Sequence, residues 1–117
     1  MSQASTVNIT IEQGEDFNFS FSYTDLTGVP IDLTGATASM MIRADLDSVP
    51  AVTLTTANGR ISWEPATGIF TIRIPAAETL RMALEDGGVH DLFIKASDGM
   101  VEKLITGTTT FIRAVTR

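Results

Sequence analysis

At 117 residues the chain is the size of one domain, and its 44% hydrophobic residues suffice for one core without metal or disulfide staples. The absence of cysteine excludes a disulfide framework, thiolate zinc sites and a cysteine nucleophile. Its 14 acidic and 8 basic residues give a net charge of −6, and the basic ones are scattered singly, which argues against a nucleic-acid partner and against binding to an anionic membrane.

No apolar run approaches the length of a bilayer span. Met1 to Val7 is small and polar, without the basic start and apolar stretch of a secretory signal. The expectation is a protein that stays in the cytosol where it is made, or leaves as part of something larger. Residues 1–6 read as a flexible arm, with Ser2, Gln3, Ala4 and Ser5 as candidate assembly contacts, and 7–117 as one domain.

From there, alternation with period two dominates, the mark of half-buried strands. Val7, Ile9 and Ile11 alternate with polar residues. Phe17, Phe19, Phe21 and Tyr23 then alternate with Asn18, Ser20 and Ser22; only a strand puts all four rings on one side. The tetrad Asp-Leu-Thr-Gly follows twice, at Asp25–Gly28 and Asp32–Gly35, and predicts two turns joined by an extended piece around Pro30. Ala36 to Ala44 is the next strand, with Ala38, Met40 and Ile42 inward and Met41 and Arg43 on the other side. Asp45 to Pro50 reads as a loop. Val52 and Leu54 lead to Asn58-Gly59, the strongest hairpin signal in the chain, with Ile61 and Trp63 beyond it.

Phe70 to Ile74 is a further strand, closed by Pro75. Ala76 to Leu84 is rich in strong helix formers, with Leu80 and Leu84 one turn apart, and predicts a short helix. His90, Leu92, Ile94 and Ala96 line a strand face, and Asp98-Gly99 is a second hairpin turn. Met100 to Ile105 returns, and Gly107 predicts a bulge before a last strand, Thr108 to Val115. Seven to nine short strands, turn signals roughly every 8–12 residues and one helix favour an all-β, antiparallel, immunoglobulin-like sandwich.

Catalytic chemistry finds little support in these residues. His90 and Asp91, adjacent on a strand, point to opposite faces and cannot form a base and its orienting acid. The pairs Glu85-Asp86, Asp45/Asp47 and Glu15-Asp16 sit in turns and read as solvated loop charge. Asp45 and Asp47 lack the further ligands, glycine and glutamate of a calcium loop. No phosphate-cradling glycine loop is present, so no enzyme activity, cofactor or metal is expected. Trp63 could stack on a sugar ring but, with Ile61 on its face, reads first as core.

Several segments together resemble a family. They are the Phe-rich strand, Pro30 to Ala38, Met41-Ile42-Arg43, Thr67-Gly68-Ile69, the helix with Thr79-Leu80, Gly88 to Leu92, Asp98-Gly99, and the Gly107 strand ending in Val115-Thr116-Arg117. In these the chain resembles the immunoglobulin-like N-terminal domain of the baseplate upper proteins of tailed bacteriophages, from about Ile9 to Arg117. The stretch Asp32 to Ala38 with Met41-Ile42-Arg43 is the most distinctive part. The resemblance implies a virion component that docks on a multi-subunit ring of the tail or baseplate, with other virion proteins as partners and oligomers in the assembly. Family members continue into a fibre or receptor-binding region; this sequence stops two residues after its last strand, which reduces the implied role to docking.

Within that reading, the last strand carries few charges and no proline, which makes Thr108, Thr110, Phe111, Ile112 and Arg113 the candidate interface edge. The free protein is expected to be a monomer or weak oligomer whose arm orders on assembly. Two other functions fit the same residues: a head or connector decoration protein, and a carbohydrate-binding or adhesin module with Trp63 exposed.

Overall fold

A computed structural model describes residues 4–82, 84–85 and 87–116. Two sheets face each other across the core. The larger runs β1-β9-β8-β4-β5, with β2 also paired to β9; the smaller runs β3-β7-β6. In chain order these strands are β1 (Ser5–Thr6), β2 (Ile9–Glu12), β3 (Phe17–Ser22), β4 (Thr37–Arg43), β5 (Pro50–Thr55), β6 (Ile61–Glu64), β7 (Ile69–Ile74), β8 (Gly87–Lys95) and β9 (Val101–Ile112), with the helix α1 (Ala76–Arg81) between β7 and β8.

The alternation read from the sequence places the core. Ala38, Met40 and Ile42 of β4 are buried, as are Leu92 and Ile94 of β8, while Met41 faces out. From the smaller sheet, Phe70, Ile72 and Ile74 of β7 are fully buried. Phe70 is the centre of a ring cluster, with Phe21 at 5.1 Å, Trp63 at 5.2 Å and Tyr23 at 6.0 Å between centroids. Burying a side chain of that size contributes about 1.5–3 kcal/mol.

Both Asp-Leu-Thr-Gly tetrads are turns. Asp25 Oδ1 accepts from the backbone N–H of Thr27 and Val29 and from the Thr27 hydroxyl; Asp32 Oδ1 accepts from the N–H and hydroxyl of Thr34. These bonds hold both carboxyls below the usual carboxylate range, the threonine hydroxyl being the largest cause in each. Gly28 and Gly35 supply the positive φ, at 86° and 77°. A bridge between Thr24 and Pro30 closes the first turn. Asp98-Gly99 is the hairpin expected between β8 and β9.

Five expectations are corrected. Asn58-Gly59 does not close a hairpin: β5 pairs with β4 and β6 with β7, so the turn carries the chain from one sheet to the other. Asn58 still acts locally, its side chain bonding Thr55 N–H, Arg60 N–H and the Thr53 carbonyl. The helix ends at Arg81, and its buried residue is Thr79, with Leu80 exposed on the other side. The β8–β9 irregularity lies between Leu92 and Phe93, opposite Leu104, not at Gly107.

The last two concern the candidate docking residues. β9 is not an edge. Thr108 and Thr110 pair with Val89 and Gly87 of β8, while Thr110, Phe111 and Ile112 also pair in parallel with Thr10, Ile11 and Glu12 of β2, and Arg113 follows the strand end. The uncharged, threonine-rich sequence reads the same inside a sheet as at its rim, and pairing to the start of the chain leaves no local pattern. Nor does the arm extend to residue 6: Ser5 and Thr6 pair with Ile105 and Thr106. Ala4 precedes that strand, and Ser2 and Gln3 lie outside the described residues.

Candidate functional site

With β9 internal, interaction surface must be sought at the true edges. Edge strands present unpaired N–H and C=O groups, which proteins blunt with proline, bulges, charges or shortness. β5 begins with Pro50 and carries a register shift opposite Ile42 and Arg43. The β1/β2 edge is broken into two pieces of 2 and 4 residues. β6 has 4 residues, one of them Glu64.

β3 has none of these devices. It is 6 residues long, Phe-Asn-Phe-Ser-Phe-Ser, with no proline, charge or register shift, and it pairs on one side only, with β7. The ladder parity follows from one bond: Tyr23 N–H donates to Gly68 O at 2.8 Å. Phe17, Phe19 and Phe21 therefore direct their N–H and C=O to β7, and those of Asn18, Ser20 and Ser22 point off the sheet. The bond from Arg73 N–H to Arg60 O fixes the same parity from the β6 side of β7.

Beneath this edge the two sheets do not meet fully. Phe17, Phe19 and Phe21 stay half-buried. A cleft of about 220 Å³ opens beside Phe21, between Tyr23, Val7, Leu104 and Ile105. That is smaller than a usual ligand pocket and suits a side chain or two. Tyr23 spans the cleft wall, its hydroxyl donating to Glu102 Oε2 at 3.1 Å; burial first, then the Glu102 charge, push the phenol above its ordinary value.

The strap over the far side of this seam, where β1 passes into β2, is anchored by residues whose role the sequence did not reveal. His90 is buried, its Nε2 2.8 Å from Val7 O and its Nδ1 2.7 Å from Thr109 Oγ1. A carbonyl only accepts, so Nε2 carries the proton and neutral Nδ1 accepts from the threonine hydroxyl. Burial lowers the His90 pKa, against opposing effects of the Val7 bond and the Asp91 charge. Asp91 points to the other face, 3.7 Å from Lys103 Nζ, so the two form no catalytic pair. At Gly107 a Cβ would collide with the Val7 carbonyl, which explains the glycine without a bulge.

The end of the seam is tied by Thr79. Its hydroxyl accepts from Gly14 N–H at 3.0 Å and donates to Glu15 O at 2.8 Å, fixing the β2–β3 turn against α1.

Elsewhere, a cleft of about 310 Å³ lies between Trp63 and the second Asp-Leu-Thr-Gly turn. Trp63 is half-buried against Phe70, and the Asp32 Oδ1 beside it is occupied by Thr34. Asp45 Oδ1 likewise binds Asp47 N–H and the Ser48 hydroxyl, as a turn does. Among the described residues no group of three or more His, Asp or Glu side chains is placed to hold a metal ion, and no helix is long and apolar enough to cross a membrane.

No protein-family model matches the sequence, and no curated protein matches it. Among solved structures, the extracellular domain of the voltage-gated sodium channel β4 subunit aligns over 98% of this chain and 98% of that one, with a TM-score of 0.50 at 12% identity. At that identity the likeness speaks to architecture alone. With the two-sheet topology, it shows that this chain has an immunoglobulin-like β-sandwich fold.

Proposed function

We propose that this chain is a non-enzymatic structural protein of a tailed-phage virion, docking onto a multi-subunit ring of the tail or baseplate. The observation that carries this reading is the stretch Asp32 to Ala38 with Met41-Ile42-Arg43, the most family-like part of the sequence. It is continuous in the fold: the Asp32 turn is followed closely by β4, whose inward residues are core and whose Met41 faces solvent. Association through protein surfaces suits the fold; the sodium channel β4 domain forms parallel homodimers that explain its role in cell–cell adhesion. The uncovered β3 edge offers such a surface here.

Trp63 gives less support to a carbohydrate-binding module, because its ring packs on Phe70 rather than standing free. A head or connector decoration protein would have the same fold and is separated only by location. Antibody labelling of purified particles that carry the gene makes that distinction. A discrete ring of label at the tail or baseplate is the expected result; label spread over the capsid, or none on the particle, would overturn it.

A further inference from the structure

We infer that the β3 edge is a strand-addition site, and that its occupant is an extended segment of another protein, uncharged in its centre and flanked by basic residues. Three observations converge. The edge is unguarded, whereas the other edges are shortened, interrupted or blocked by proline. Asn18, Ser20 and Ser22 direct three successive N–H and C=O pairs outward, which is what an added strand requires. The seam beneath leaves Phe17, Phe19 and Phe21 half-buried beside a cleft of side-chain size, so alternate residues of the incoming strand find apolar cover.

Charge selects the occupant. Glu12, Glu15 and Asp16 precede β3 in the chain and Asp25 follows it, while β3 itself is neutral. The Asp16 and Asp25 carboxylates also accept backbone N–H bonds, from Ala76 and from Thr27 and Val29 respectively. The one cation across the ladder, Arg73 opposite Asn18, lies on the outer face and away from the seam. A second copy is a poor partner. Antiparallel pairing of two β3 strands about Ser20 would bring Glu15-Asp16 of each copy to Thr24-Asp25 of the other, and like charges placed opposite each other destabilise a pair. Lysine or arginine at both ends of the incoming segment meets the same acids with attraction, in a protein whose net charge is already −6.

This inference is separate from the virion assignment: particle labelling and strand addition fail independently. The test uses the intact protein and two synthetic peptides of alternating valine and threonine, one flanked by lysines and one by glutamates. Titration calorimetry at low salt measures affinity, and residue-resolved amide exchange locates the contact. The expected result is binding of the lysine-flanked peptide at least about tenfold tighter than the other, weakening with salt. Slowed exchange should appear at Asn18, Ser20 and Ser22. Ser20→Pro removes an outward N–H, which edge strands accept, together with the exposed hydroxyl contact to Thr71, and should weaken binding by about tenfold or more. Should that variant fail to fold, the exchange pattern of the unaltered protein decides. Absence of binding, equal binding of both peptides, protection at β5 or β6 instead, or dimers of the free protein with these amides already protected would each overturn the proposal.

Discussion

The two flanks of the sandwich are closed by different means. On one, the chain itself crosses from β5 to β6 through Asn58-Gly59, and Arg60 bonds Glu78 of α1 across the gap. On the other, β3 faces the β1/β2 strap across an apolar seam, and the chain crosses only at one end, at the Thr79-anchored turn. The β5 and β6 edges of the first flank carry a proline, a register shift and a glutamate that guard their backbone. The second flank leaves the β3 edge without any such device, which is the feature that an added strand would use.

The largest loss of stability is expected when the centre common to both flanks is removed. Phe70→Ala deletes the ring on which Phe21, Tyr23 and Trp63 all rest. It should cost about 3–5 kcal/mol in chemical denaturation. The strap on the open flank comes next. Gly107→Ala forces a methyl group into the Val7 carbonyl and should cost about 1–3 kcal/mol, with faster exchange at the Val7 amide than elsewhere. Thr79→Val keeps the shape but strands Gly14 N–H and Glu15 O at the end of the seam. About 1–2 kcal/mol of destabilisation is expected in urea, because one buried side-chain partner is lost to two backbone groups.

His90 makes the open flank the pH-sensitive one. Its folded pKa lies below the ordinary imidazole value of about 6.5, so the unfolded chain binds the extra proton first. The contribution of neutral His90 is present above about 6.5 and is lost as pH falls below it. Thermal unfolding midpoints should drop in that range, and His90→Gln should remove this part of the dependence. The smallest effect belongs to the closed flank. Arg60→Gln breaks a half-exposed ion pair and should cost about 1 kcal/mol or less by denaturation, since the covalent crossing remains.

The same contrast explains what the sequence disclosed. Alternation along β3, β4, β7 and β8 determines which side chains face inward, so the core and the fold class were legible from residues such as Phe19, Met40 and Ile72. Turn chemistry carried within a few residues was legible too, as at Asp25, Asp32 and Asp98. Pairing between distant strands was not. Asn58-Gly59 has the same local chemistry whether its flanking strands share a sheet or part company. The sequence of β9 resembles an edge because its partner β2 lies about a hundred residues earlier, and that of β3 does not because its phenylalanines describe a face and not a rim. Gly107 signalled a constraint, but only Val7, brought from the far end of the chain, shows its nature.

The open β3 edge can be tested most directly by residue-resolved amide hydrogen exchange on the free protein. Alternation is expected: slow exchange at Phe17, Phe19 and Phe21, whose amides are bonded to β7, and fast exchange at Asn18, Ser20 and Ser22, whose amides point away. Uniform protection along all six residues would mean that the edge is already covered, and would contradict it.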